Sequence, residues 1–111
     1  MNRNKLLSLF VSNLSNVVVH RILEKAIDEP EIISVYEKEV KNSLEIAKKY
    51  REKINPINKI LPLHDTKEVR ETIISRVKSE LNLRIARGYE NIDLNLVEKF
   101  VDDCLKELKV A

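Results

Sequence analysis

The chain has 111 residues, of which 43% are hydrophobic and 34% are charged, with a single glycine and a single cysteine. This length fits one domain, residues 1–111, whose core needs neither a disulfide nor a structural metal, and the aliphatic content excludes a disordered chain. Twenty basic and eighteen acidic residues leave a net charge of +2, so the overall charge gives no indication of a polyanionic partner.

The first two predicted elements are long helices. Apolar residues at helical spacing predict a first helix from about Asn4 to Ala26. Asp28 and Pro30 then separate it from the next helix, because aspartate caps free N–H groups and proline is tolerated in a first turn. The second helix is predicted from Pro30 to Lys53, with apolar residues spaced three and four apart.

An irregular connection is predicted next, from Ile54 to His64, because this segment contains Pro56 and Pro62. Its apolar residues are expected to pack over one end of the core. Asp65 or Thr66 is predicted to be the N-cap of the third helix, since both side chains accept hydrogen bonds from free backbone N–H groups.

The only glycine in the chain, Gly88, is predicted to end the third helix, because glycine accepts the positive φ of a C-terminal cap. Asp93 is then predicted to cap a fourth helix, whose apolar stripe includes Cys104. The predicted fold is therefore all-α: an antiparallel, four-helix bundle-like domain with an irregular, proline-containing connection between helices 2 and 3.

Residues 81–96 allow a second interpretation. Apolar residues alternate with polar or small ones on both sides of Gly88, which is also the pattern of a β-hairpin. The helical stripe that precedes this segment and the capping signals at both of its ends favour a helix–turn–helix arrangement.

No set of residues in the sequence converges on catalysis or metal binding. His20 and His64 lack the glutamate three residues earlier that di-iron bundles use, so they are interpreted as a surface histidine and a helix-start histidine. Cys104 has no second cysteine for a zinc site and lies on an apolar stripe, where a free cysteine behaves as a small hydrophobic residue. The sequence predicts no enzyme activity, no cofactor, no metal and no small-molecule substrate.

Part of the chain resembles the all-helical chorismate mutases. The resemblance covers the sequence SLEIAKKYREK at residues 43–53 and the segment LPLHD at residues 61–65, which is followed by a charged helix. It implies an alternative function, a small helical enzyme that binds an anionic substrate with arginine and lysine. When Lys53 is matched to the family's lysine, Asn42 and Lys25 stand where the family has arginines, so the bidentate carboxylate contacts are missing. The sequence does not assign the chain to this family.

The densest basic cluster begins near the end of the second helix. It consists of Lys48, Lys49, Arg51, Lys53 and Lys59. Such residues neutralise phosphates without regard to base sequence, so a nucleic-acid-binding accessory protein is the main alternative function. Many cations of the chain have a carboxylate four residues away, as Arg76 has Glu80, which explains them equally well as part of an ion-paired, solvent-exposed face. Nucleic-acid binding is therefore not favoured.

The feature least typical of a simple bundle is the segment from Leu6 to Val19, which contains no charged residue. A surface helix ordinarily has a charged outer face, and depletion of charge is typical of the core of protein interfaces. We therefore predict that the first helix contacts a second copy of the chain, giving a homo-oligomer, or another protein. The predicted interface residues are Ser8, Val11, Ser12, Ser15, Asn16 and Val19. Burial of this helix at the centre of its own domain is the competing interpretation.

The same segment has only a superficial likeness to a signal peptide. Serines and asparagines interrupt it, it is too short to span a bilayer, and no small-residue cleavage site follows it. A lone cysteine also indicates a reducing compartment, so the sequence predicts a cytoplasmic protein with no membrane contact. The predicted function is that of a non-enzymatic assembly or accessory subunit.

Overall fold

The computed structural model describes residues 2–55 and 61–110, and these ranges contain four α-helices and no β-strand. Helix α1 spans Arg3–Ala26, α2 spans Pro30–Ile54, α3 spans Leu63–Ala86 and α4 spans Val97–Glu107, with a 3₁₀ turn at Leu94–Leu96 before α4. The prediction of an all-α fold is confirmed. The predicted limits of the first two helices are each within one residue of those observed.

The beginnings of α1 and α2 follow from local sequence. The Oδ1 atom of Asn2 accepts a 2.8 Å hydrogen bond from the backbone N–H of Lys5, which satisfies one of the free donors of α1. Pro30 occupies the first turn of α2, as the sequence predicts, but the N-cap residue is Glu29 rather than Asp28, and no side chain caps this end.

The beginning of α3 differs from the prediction. The helix begins at Leu63 with Pro62 as the N-cap residue, so the expected caps, Asp65 and Thr66, lie inside its first turns. The hydroxyl of Thr66 is 3.1 Å from the carbonyl oxygen of Val110, a contact between distant parts of the chain that the local pattern does not reveal. Residues 56–60, which form most of the predicted irregular connection, lie outside the described residues.

The end of α3 is a Schellman motif built on Gly88. Its φ is 99°, in the region that favours glycine. The N–H of Gly88 donates to the carbonyl of Ile85 at 3.0 Å, and the N–H of Tyr89 donates to the carbonyl of Arg84 at 3.1 Å. The predicted role of the glycine is confirmed.

Residues 81–96 contain no strand, so the β-hairpin alternative is wrong and the helix–turn–helix interpretation holds. Helix α3 continues to Ala86, and Asp93 accepts a 2.9 Å hydrogen bond from the N–H of Asn95. Asp93 therefore caps the 3₁₀ turn that leads into α4. The helical arrangement buries Leu81 completely, which an alternating strand at this position would not require.

Helix α1 packs against α2, α3 and α4. Eleven of its residues are buried, whereas α2 buries three, and the buried side chains of all four helices form one core. Of the fourteen residues from Leu6 to Val19, eight are buried and only Ser8 and Ser12 are exposed. Burial inside the domain therefore explains most of this uncharged segment, and the two serines are the exposed remainder.

Helix α1 is also long and apolar enough to cross a membrane, judged by its length and composition alone. The expectation that the segment is too short does not apply to the whole helix, which has 24 residues. However, 61% of its most apolar window is buried within the fold. The central helix of a packed domain has the same composition, so the length and composition of α1 do not distinguish a membrane from a protein core as its environment.

Candidate functional site

A groove follows the seam between α1 and α3. Its first half has a volume of about 270 Å³ and is bordered by Leu7 and Val11 from α1 and by Val69 from α3. Val11 and Val69 are buried and form part of the floor. Arg76 borders this half and the next one, so the two halves are neighbours along the same seam.

The second half of the groove is larger, at about 470 Å³, and more polar. Hydroxyl groups line both of its sides, from Ser12 on α1 and from Ser75 and Ser79 on α3. These three serines are exposed, so their hydroxyls are accessible to a ligand.

All six predicted interface residues line this groove, at different depths. Ser8 and Ser12 are exposed and Asn16 is half-buried, whereas the other three are only 3–7% exposed. The three residues of the floor are Val11, Ser15 and Val19. They support the groove from beneath, and Ser8 and Ser12 are accessible from solvent.

The polar atoms beneath the groove have partners within the fold. The hydroxyl of Ser15 donates a 2.7 Å hydrogen bond to the carbonyl of Val11, one turn earlier. The side-chain amide of Asn16 donates a 2.7 Å hydrogen bond to the hydroxyl of Ser43, which joins α1 to α2. Asn16 is therefore a structural contact as well as a lining residue.

The charges of the second half all come from α3. Glu80 lies 3.5 Å from Arg84, so it pairs with this arginine, and Arg76 has no ion pair with any described residue. The guanidinium of Arg84 lies over the ring of Tyr89, at 5.9 Å from the ring centre. Its Nε atom is buried and has no hydrogen-bond partner in the described part of the chain. Sequence reasoning did not assign these two arginines to a site.

His20 lies beyond the groove, one turn after Asn16. Its Nδ1 is 2.8 Å from the backbone carbonyl of Asn16, and its Nε2 is 2.7 Å from the carboxylate of Glu39 on α2. The imidazole also packs against Tyr36, with 5.2 Å between the ring centres. The sequence interpretation of His20 as a surface residue is wrong, because the residue is only 5% exposed. Both ring nitrogens therefore contact oxygen atoms, one of the backbone of α1 and one of a side chain of α2.

No protein-family model matches the chain. Comparisons with curated protein sequences and with solved structures also find no match.

Of the described residues in the predicted basic cluster, three are exposed and one is buried. Lys48, Lys49 and Lys53 are exposed on α2. Arg51 is fully buried and donates hydrogen bonds to backbone carbonyls at the end of α4, so it is not available to nucleic acid. Lys59 lies outside the described residues.

The residues matched to the chorismate mutase pattern lie at different positions along α1 and α2. Lys25 is near the end of α1, close in sequence to the beginning of α2, whereas Lys53 is at the end of α2. Helix α2 is roughly 35 Å long, and Asn42 is about 16 Å from Lys53 along its axis.

The described residues hold no group of three or more His, Cys, Asp and Glu side chains placed to bind a metal ion. Cys104 is buried, and Nη1 of Arg21 lies 3.1 Å from its sulfur. Burial raises the pKa of the Cys104 thiol, which disfavours the reactive thiolate.

Proposed function

We propose that the protein is a non-enzymatic accessory subunit that binds a helix of another protein in the groove between α1 and α3. The observation that carries this proposal is the position of the six predicted interface residues, all of which line that groove. The charge-free segment of α1 thus supplies one side and the floor of a recess, where a partner meets no desolvated charge from α1.

The dimensions of the groove favour a helix as the occupant. Along α1 it extends from Asn4 to Val19, which corresponds to about 22 Å of helix axis. A helix of about 15 residues has this length. Binding of an amphipathic helix in a groove between two helices is a common form of peptide recognition.

A helix of a different protein fits better than the same face of a second copy. Val11, Ser15 and Val19 are recessed beneath Ser8 and Ser12 in each copy of the chain. Two recessed faces placed together leave a space between them, whereas a protruding helix fills the recess and contacts its floor.

We further propose the antiparallel arrangement that the sequence predicts, for which contacts between α1 and α2 give support. Asn16 contacts Ser43, and His20, four residues later on α1, contacts Glu39, four residues earlier on α2. In two antiparallel helices, the residue numbers of successive contacts increase along one helix and decrease along the other, as they do here.

Co-purification with two matched variants tests the proposed function. In Ser12→Tyr a ring occupies the groove, and in Ser34→Tyr the same ring is placed at an exposed position on α2 that does not line it. We expect the tagged protein to recover one partner in a fixed ratio, Ser34→Tyr to retain it and Ser12→Tyr to lose it. Both variants should keep the helical circular dichroism of the parent protein.

Light scattering on a sizing column identifies the occupant. The proposal is supported if the pure protein is a monomer and if the co-purified partner is lost only in Ser12→Tyr. A homodimer that Ser12→Tyr dissociates shows that a second copy occupies the groove and contradicts the choice of partner. A complex that is insensitive to Ser12→Tyr, or a monomer with no recoverable partner, contradicts the proposed function.

A further inference from the structure

The two halves of the groove offer different chemistry to a bound helix. The first half presents Leu7, Val11 and Val69, which favour apolar side chains, beside the carboxylates of Asp65 and Glu68. The second half presents Arg76 and Arg84 among hydroxyl groups. A single occupant therefore meets apolar side chains bordered by two carboxylates at one end of the groove and a more basic surface at the other.

The second half has more positive than negative charge. Its lining contains two arginines and one carboxylate, Glu80, and that carboxylate already contacts Arg84 at 3.5 Å. Helix α1 contributes no charge here, because Leu6 to Val19 contains no ionisable side chain. Arg76 is thus left without an ion pair among the described residues, at the junction of the two halves.

Arg84 provides a second, independent observation. Its Nε atom is a buried donor with no partner in the described residues, and leaving such a donor unsatisfied is unfavourable. The ring of Tyr89 lies beside its guanidinium, and Glu80 contacts one of its terminal nitrogens. The buried Nε itself is out of reach of a bound ligand, but an additional carboxylate in this half would add negative charge beside the guanidinium of Arg84, whose side chain is 18% exposed.

We propose that the partner helix is acidic at one end, where an aspartate or glutamate carboxylate binds between Arg76 and Arg84. The exposed hydroxyls of Ser12 and Ser79 are hydrogen-bond donors on the two sides of this position. Apolar side chains at the other end of the partner helix pack against Leu7 and its neighbours. This inference rests on the proposed function, and it also defines the direction in which the partner lies in the groove.

The test uses two synthetic helical peptides of about 15 residues, the length that the groove accommodates. Both carry leucines on one face near one end. The first has two glutamates on the same face near the other end, and the second has glutamines in their place. Fluorescence anisotropy measures the binding of each peptide to the full chain at low and at high salt.

We expect the glutamate peptide to bind about fivefold to tenfold more tightly than the glutamine peptide at low salt. This preference should decrease at high salt, because salt screens exposed charges. Arg76→Gln should remove most of the preference and leave the fold unchanged, since Arg76 is exposed. Arg87→Gln, an equivalent change at an exposed arginine that does not line the groove, should retain it.

The outcomes separate this inference from the proposed function. If the two peptides bind equally and Ser12→Tyr blocks both, the proposal of an acidic partner is overturned, and the groove remains a helix-binding site. A preference that survives Arg76→Gln overturns the proposed placement of the carboxylate beside Arg76. Binding that Ser12→Tyr does not affect, or no binding of either peptide at millimolar concentration, contradicts both.

Discussion

The Nε atom of Arg51 donates a 3.1 Å hydrogen bond to the backbone carbonyl of Leu108, which joins α2 to the end of α4. A terminal nitrogen of the same guanidinium donates to the carbonyl of Lys109 at 2.8 Å. The last carbonyls of a helix lack partners within the helix and carry partial negative charge. Burial lowers the pKa of Arg51 from its ordinary value, and these carbonyls are the acceptors that a buried guanidinium requires.

Replacement of Arg51 should strongly destabilise the fold. In Arg51→Met the carbonyls at the end of α4 lose their donor while they stay buried, so we expect the free energy of unfolding to fall by about 2–4 kcal/mol. Urea denaturation followed by circular dichroism measures this loss. The control is Lys53→Met, at an exposed position on the same helix, where a change within about 0.5 kcal/mol is expected. Similar losses in the two variants would show that Arg51 does not support α4.

Replacement of Lys109 by glycine should stabilise the protein. Lys109 has a φ of 57°, and its N–H donates to the carbonyl of Lys106 at 3.1 Å, which places a lysine at the glycine position of a Schellman motif. Lys109→Gly relieves this strain, and we expect a gain of about 0.5–1 kcal/mol in the free energy of unfolding. In Lys106→Gly, within α4, we expect a loss of similar size. A loss in both variants would contradict the argument.

The pKa of Asp65 should be low and should depend on Arg3. The Arg3 guanidinium forms a hydrogen-bonded ion pair with this carboxylate and holds its pKa below the ordinary value. Because the folded-state pKa is the lower one, the pair stabilises the fold above the unfolded-state pKa and loses this effect as the pH falls through the folded value. In Arg3→Gln we expect the pKa of Asp65 to rise in a ¹³C NMR titration, and in Arg87→Gln we expect no change. An Asp65 pKa that is the same with and without Arg3 would exclude the pairing.

Cys104 should react slowly in the folded protein. Burial raises the pKa of its thiol, and the side chain is only 1% exposed, so both the thiolate fraction and the access of a reagent are low. We expect a thiol-specific disulfide reagent to modify the native protein more than about tenfold more slowly than the protein in concentrated urea. Equal rates under the two conditions would indicate that this end of the core is open.

The groove could be predicted from the sequence on one side only. Ser8, Ser12 and Asn16 share a face of α1 because helical spacing places residues three and four apart together, and this required no knowledge of the other helices. The side formed by α3 was not predicted. Arg76 was interpreted as part of an ion-paired face, because Glu80 is four residues away and spacing alone does not show that Glu80 pairs with Arg84 instead.

The sequence by itself determined the four helices and the turn at Gly88, because helical periodicity, capping and the positive φ of glycine are properties of neighbouring residues. Only the tertiary structure decided that Arg51 is buried rather than part of a basic surface, and that Thr66 contacts Val110 rather than capping α3. The hydrogen-bond partners of Arg51, Leu108 and Lys109, are 57 and 58 residues away from it along the chain. No local pattern encodes such contacts, because they exist only once the core has brought the helices together.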